Sequence, residues 1–134
     1  MNGKAAEIKS RISRIETTDD NLTGRAGLCF LSRYIRDTKI VKSLETRFKN
    51  IRRSSKGTPL SSIFHQILCF FINGENFHLT YFDHLKKDTG YSGVIETPKG
   101  RMMSSHSVKR FFKAFRIIEA LQLRKLLHKL FIWQ

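Results

Sequence analysis

The segment SSHSVKRFFKAFR, residues 104–116, combines hydroxyl and cationic side chains with phenylalanines at helical spacing. Apolar residues recur at i, i+3, i+4 and i+7 from Val108 to Phe115, so one side of the predicted helix packs on a core. The polar and cationic residues of the segment are Ser104, Ser105, His106, Ser107, Lys109, Arg110, Lys113 and Arg116. Small polar residues at a helix N-terminus, followed by cations along one side, are typical of helices that contact DNA. The segment therefore predicts a DNA-contacting helix, with an ordinary solvated face as the alternative.

A second group of cations lies in the segment IRRSSKG, residues 51–57, which lacks apolar periodicity and is predicted to be a loop. Its cationic residues are Arg52, Arg53 and Lys56. Lysine and arginine side chains bind phosphates through charge and hydrogen bonds. We therefore predict that this loop supplies a second set of phosphate contacts.

The net charge of the chain is strongly positive, at +14 for 25 Lys and Arg against 11 Asp and Glu. Residues 1–53 carry a net charge of +7, residues 54–98 carry −1 and residues 99–134 carry +8. An excess of this size favours a polyanion or an anionic membrane surface as the partner. The distribution predicts a neutral, phenylalanine-rich centre with cationic elements on both sides of it.

The sequence shows no set of residues that predicts catalysis or a metal site. Its acidic residues are scattered, and Asp83 and Asp88 are expected to lie near one helix end. His65 and Cys69 have the i, i+4 spacing of two zinc ligands, but no further ligand pair accompanies them, so we interpret both as core residues. The glycine spacings of nucleotide-binding loops are also absent from the sequence. We therefore predict no catalytic residue, no metal ligand and no cofactor.

Apolar periodicity divides the chain into about six helices, which predicts an all-α fold. The central, phenylalanine-rich helix is predicted over TPLSSIFHQILCFFING, residues 58–74. Pro59 suits the first turn of this helix and Gly74 suits its end. Residues 92–103 lack helical periodicity, so we predict a small β-hairpin or an extended loop there.

Residues 1–21 are polar with weak periodicity, which predicts a flexible N-terminal arm. Residues 22–134 are predicted to be one helical DNA-binding domain. The most apolar run, residues 63–72, falls short of the roughly 18 residues that span a bilayer, and the N-terminus resembles no secretory signal. Cys29 and Cys69 lie in apolar segments, as free cysteines of a reducing compartment do. We therefore expect a cytoplasmic protein that does not enter the membrane.

Three motifs follow one another within residues 22–116. They are the segment GLCFLSRYIRD, the pattern G-x8-D-x-L-x-x-D formed by Gly74, Asp83, Leu85 and Asp88, and a serine-led helix that runs from Ser105 through Arg110 and Phe111. Their order and spacing resemble the N-terminal region of bacterial insertion-sequence transposases of the DDE class. The resemblance implies a region that recognises terminal inverted repeats, placed before an RNase H-like catalytic domain. Because the catalytic carboxylates of that family follow this region, we expect the catalytic domain to be absent from this chain.

Together these features predict the DNA-binding module of a transposase, which binds double-stranded DNA and is not itself an enzyme. Mg²⁺ is expected only for the missing catalytic domain. The alternative is a basic helical interaction or dimerisation module, or a membrane-surface binder, without specific DNA binding. The C-terminal helix favours this alternative because its leucine stripe, from Leu123 to Leu130, calls for a partner such as a second copy of the chain. A regulator derived from a transposase fragment is a third option.

Overall fold

The computed structural model describes residues 24–52 and 56–132, so the predicted arm over residues 1–21 lies outside the described residues. Seven α-helices make up most of the described chain: α1 (Ala26–Asp37), α2 (Ile40–Arg47), α3 (Leu60–Asn73), α4 (Phe82–Lys87), α5 (Thr89–Val94), α6 (Ser105–Lys113) and α7 (Ile117–Ile132). Three short 3-10 helices lie between them, at Lys49–Ile51, Leu79–Tyr81 and Lys99–Arg101. No β-strand occurs in these residues, and the prediction of an all-α fold is confirmed.

Residues 92–103 contain the end of α5, a turn and a 3-10 helix, where the sequence suggested a hairpin or an extended loop. The start of α5 is capped by Asp88, whose Oδ1 accepts a hydrogen bond from the Tyr91 N–H at 2.9 Å. After α5 the chain turns at Glu96, which has a left-handed φ of 51°. A helix of six residues that contains two glycines has too little apolar periodicity to be predicted from sequence.

The central helix α3 begins after Pro59 and ends at Gly74, whose φ of 65° lies in the left-handed region that glycine adopts without strain. The helices α1 and α2 both pack against it. The buried residues of α3 are Ile63, Phe64, His65, Gln66, Ile67, Cys69 and Phe70. The predicted phenylalanine-rich centre is therefore present in the structure.

Phenylalanine rings from three elements hold α6 against this core. Phe64 of α3 contacts Phe111 of α6 edge to face, with ring centroids 5.4 Å apart. Phe48, at the end of α2, lies 5.8 Å from the Phe64 ring and 5.4 Å from the Phe115 ring. Aromatic pairs at such separations stabilise a core beyond the area that they bury. The ring cluster therefore fixes the position of α6 relative to α2 and α3.

Candidate nucleic-acid interface

Two side chains fix the N-terminus of α6. The Ser104 hydroxyl accepts a hydrogen bond from the Ser107 N–H at 3.3 Å, as capping serines do. Asp83 of α4 accepts two hydrogen bonds from Ser105, one from its N–H at 2.9 Å and one from its hydroxyl at 2.5 Å. These bonds from Ser105 hold the pKa of the Asp83 carboxyl below its ordinary value, so a negative charge lies at the positive end of the helix.

Gln66 fastens the segment that leads into α6 to the central helix. Its side chain is almost completely buried. The Gln66 Oε1 accepts a hydrogen bond from the Met103 N–H at 2.9 Å, and its Nε2 donates to the Arg101 carbonyl at 3.0 Å. A buried amide whose donor and acceptor are both bonded to main chain holds that main chain in one place. The start of α6 is therefore anchored separately from the ring cluster.

The two sides of α6 differ as its sequence predicts. Val108 and Phe111 are buried, and Phe112 and Phe115 are partly buried against the core. The exposed side of the helix carries His106, Lys109, Arg110 and Lys113. Arg116 is also exposed but lies beyond the end of α6. The apolar side thus attaches the helix to the core, and the cationic side faces solvent.

Arg25, directly before α1, pairs with two carboxylates. Its guanidinium contacts Glu75, in the turn after α3, and Asp88, which is 2.7 Å away at the start of α5. The hydrogen bond to Arg25 lowers the pKa of Glu75 below its ordinary value. The Tyr81 hydroxyl donates to the same carboxylate at 3.0 Å. This network ties the start of α1 to the residues on both sides of α4.

Glu96 pairs with two further arginines, both on α1. Its carboxylate accepts hydrogen bonds from Arg33 at 2.9 Å and from Arg36 at 2.8 Å. The hydrogen bond from Arg33 is the main cause that lowers the pKa of Glu96 below its ordinary value. The Arg36 guanidinium also donates to the Ile95 carbonyl at 2.9 Å. The arginines of α1 thus serve to attach the turn after α5.

Ion pairs of this kind are not found for the cations of α6 among the described residues. Within the described part of the chain, Lys109, Arg110 and Lys113 form no ion pair with a carboxylate. Asp83 and Glu119, which lie near the two ends of α6, accept hydrogen bonds from the N–H groups of residues that begin helices. The exposed side of α6 therefore carries positive charge to which no described carboxylate is bound.

A cleft of about 540 Å³ lies between α6 and the loop that precedes α3. Arg52 and Lys56 line it from the loop, and Ser107 and Arg110 line it from α6. Arg52 donates hydrogen bonds to the carbonyls of Lys56, at 2.7 Å, and Thr58, at 2.6 Å. These bonds hold the guanidinium in place and leave further N–H donors on it. The two basic segments of the sequence therefore meet at one cleft.

The remaining predicted contact residues lie in different surroundings. His106, Lys109 and Lys113 are exposed on α6 but do not line the cleft. Ser104 and Ser105 make the capping contacts at the start of α6, so their hydroxyl groups have partners within the protein. Arg53 lies outside the described residues.

Gln66 and Asp83 hold the start of α6, a role that the sequence did not predict for them. Gln66 acts on residues that follow it by 35 and 37 positions, and Asp83 acts on a residue that follows it by 22. Apolar periodicity carries no signal for hydrogen bonds between distant segments. For Gln66, the one indication in the sequence is that a glutamine lies on the most apolar helix.

Ser32, His65 and Cys69 form a polar cluster where α1 packs on α3. The His65 Nε2 lies 3.0 Å from the Ser32 Oγ and 3.7 Å from the Cys69 Sγ. Burial lowers the pKa of His65 below its ordinary value and raises the pKa of the Cys69 thiol to about 11, so both groups are neutral near pH 7. Ser32 and Cys69 have 0% exposure, so a substrate has no access to either. The cluster is a part of the core.

The residues of the G-x8-D-x-L-x-x-D pattern occupy structural positions. Gly74 ends α3, and Leu85 is completely buried. Asp83 caps α6, and Asp88 caps α5. The four residues of the pattern therefore end α3, fill the core and cap α5 and α6. Among the described residues, no group of three or more His, Cys, Asp or Glu side chains is placed to hold a metal ion.

The chain was compared with models of known protein families, with curated proteins and with solved structures, and none of them matches it. Each helix in residues 24–52 and 56–132 is too short or too polar to cross a membrane.

Proposed function

We propose that this protein binds double-stranded DNA through the exposed side of α6 and the adjoining cleft. The observation that carries the proposal is that Lys109, Arg110 and Lys113 are exposed and form no ion pair with a described carboxylate. Cations in this situation attract the phosphates of a nucleic acid and release its counterions. The opposite side of the same helix is fixed to the core, so the cations are presented in a constant arrangement.

The cations have different parts in this proposal. Lys109 and Lys113 are one turn apart on α6 and act as point charges toward neighbouring phosphates. Arg110 and Arg52 lie at the cleft, where planar guanidinium groups bind a phosphate through paired hydrogen bonds. Ser104 and Ser105 contribute by holding the helix start, which sets the orientation of the cationic side.

We propose further that this DNA-binding module belongs to a DDE-class transposase and recognises the terminal inverted repeats of its element, in the cytoplasm. The support is the order of the sequence motifs, together with the role of Asp83 and Ser105 in holding the cationic helix. In this proposal the chain performs no chemistry and needs no cofactor. Mg²⁺ would serve only a catalytic domain with its own carboxylates.

Fluorescence anisotropy with a labelled DNA duplex at several KCl concentrations tests the proposal. If about five phosphates are neutralised, the logarithm of affinity falls with the logarithm of salt concentration at a slope of roughly −4 to −5. The affinity of a protein that binds without phosphate contacts would not change in this way. A slope near zero would therefore contradict the proposal.

A second candidate function is association through α7. Ile117, Ile118 and Leu121 of this helix are 78%, 66% and 53% exposed, and such side chains favour a protein or membrane-surface partner. Light scattering would show a dimer that becomes a monomer when Ile117 and Ile118 are both replaced by Ser. Titration with anionic vesicles tests the membrane-surface option. A monomeric protein that binds no vesicles would exclude both forms of this candidate.

A further inference from the structure

We infer that the cleft between α6 and the loop before α3 accepts one nucleotide unit, with its phosphate at the cationic rim and its base against the apolar floor. This inference rests on the proposed DNA-binding function and names the ligand of one part of that surface. The nucleotide is either free or part of a DNA strand, because the two share the same chemistry.

The rim of the cleft suits a phosphate group. Arg52 and Lys56 approach from the loop, and Arg110 approaches from α6. The hydrogen bonds from Arg52 to the Lys56 and Thr58 carbonyls order its guanidinium before any ligand arrives. A cation that is already ordered loses less conformational entropy on binding. Two guanidinium groups facing one space offer the paired N–H donors that phosphate oxygens accept.

The floor of the cleft suits a flat apolar group. It is formed by Met103 and Phe111, which are 4% and 6% exposed, and by Ala114 at the end of α6. A bare phosphate would contact the rim and leave this floor covered by water. Proteins that bind an unpaired base pack it against apolar side chains. A nucleotide therefore satisfies the rim and the floor at the same time.

The size and the position of the cleft favour a nucleotide from a nucleic acid. Its volume of about 540 Å³ lies within the range of roughly 300–1,000 Å³ that is typical of small-molecule sites. The cationic surface continues outside the cleft at Lys109 and Lys113, where phosphates of neighbouring nucleotides would lie. A base in a paired duplex is not available to such a floor, so the base must be unpaired or turned out of the stack. An acidic peptide supplies carboxylates for the rim but no flat base for the floor.

Methyl NMR spectra of the full chain test the site directly. We expect 2′-deoxyadenosine 5′-monophosphate to shift the methyl resonances of Met103 and Ala114 and to bind roughly tenfold more tightly than either inorganic phosphate or 2′-deoxyadenosine. Equal affinities for the nucleotide and for inorganic phosphate would overturn the inference, because the floor would then contribute nothing. Shifts of these resonances by a polyglutamate peptide and not by the nucleotide would also overturn it.

A second experiment separates this inference from the proposed function. We expect the protein to bind a duplex with one unpaired adenine about tenfold more tightly than the fully paired duplex. Ala114→Trp, which fills the cleft, should abolish this preference, so that the variant binds the two duplexes with affinities within about twofold of each other, whereas Ala114→Ser should keep the preference. Ala114→Leu replaces the tryptophan variant if a thermal melt shows unfolding. If the unaltered protein binds both duplexes with equal affinity, the nucleotide site is overturned and the proposed function is not. If the unaltered protein shows no salt-sensitive binding to either duplex, the proposed function is overturned as well.

Discussion

The Met103 N–H donates a hydrogen bond of 2.9 Å to the Gln66 side chain, and this contact fixes the chain just before it enters α6. Gln66 lies on the central helix and is 1% exposed. Its amide nitrogen binds the Arg101 carbonyl two residues earlier. A polar contact inside the core thus determines where a cationic surface begins on the outside.

Replacing Gln66 by Leu should lower the free energy of unfolding by about 1–3 kcal/mol, because the Met103 N–H and the Arg101 carbonyl lose their partner. Urea denaturation measures this change. The matched control is Gln122→Leu on α7, which should change the free energy of unfolding by less than about 0.5 kcal/mol. Similar values for the two variants would show that the buried amide does not anchor the segment.

The two sides of α6 should respond differently to substitution. Phe111→Ala removes a buried ring from the aromatic cluster and should lower the free energy of unfolding by about 3–5 kcal/mol. Phe77→Ala is the control, since the Phe77 side chain is 74% exposed and should contribute little. Lys109→Ala with Arg110→Ala should weaken DNA binding with little effect on the thermal melt. If this charge variant melts as early as Phe111→Ala, the assignment of the two sides is wrong.

The strong apolar stripes of α3 and α6 were predictable, because burying one side of a helix requires apolar residues at helical spacing. The short helix α5 could not be predicted, because its start depends on the Asp88 cap and its six residues have little apolar periodicity. The cationic residue types of the candidate interface were also visible in the sequence. The sequence could not predict that Arg52 and Arg110 line one cleft. Their proximity depends on ring contacts that join Phe48, Phe64 and Phe111 across the fold.

Protonation of His65 should destabilise the protein at mildly acidic pH. Burial lowers the pKa of His65 in the folded state, and the nearby Arg36 guanidinium lowers it further, while the contact with Ser32 and the Glu96 carboxylate oppose the shift. The unfolded chain, with an ordinary histidine pKa of about 6.5, therefore takes up a proton that the folded chain does not. The contribution of His65 to the free energy of unfolding should be constant above about pH 6.5. Below that pH, the free energy of unfolding should fall as the pH decreases.

Thermal melts between about pH 7.5 and pH 5 measure this effect above the range in which the lowered carboxyl pKa values of Glu75 and Glu96 act. His65→Gln should reduce the dependence on pH in this window. His78→Gln, at an exposed loop position, should leave it unchanged. An identical dependence on pH in both variants would assign the effect to other groups.

The chain alone should not cut or join DNA. A DDE reaction needs two metal ions held roughly 3.5–4 Å apart by several carboxylates. Asp83 is bonded to Ser105, while Asp88 is bonded to Arg25 and to the Tyr91 N–H, so these two carboxylates serve the structure. Incubation with supercoiled plasmid in Mg²⁺ or Mn²⁺ should leave the plasmid intact. Metal-dependent nicking that disappears in Asp83→Ala or Asp88→Ala would mean that a catalytic site has been interpreted as a structural one.

The salt dependence of DNA affinity in matched charge variants tests the central claim most directly. Lys109→Ala with Lys113→Ala removes two charges from α6, and Arg124→Ala with Lys125→Ala removes two charges from exposed positions of α7. If the α6 lysines contact phosphates, the first variant should bind all duplexes more weakly, and its salt slope should be smaller in magnitude by about 2. The α7 variant should keep the slope of the unaltered protein. Equal slopes for all three proteins, or a loss confined to the α7 variant, would contradict an interface on α6.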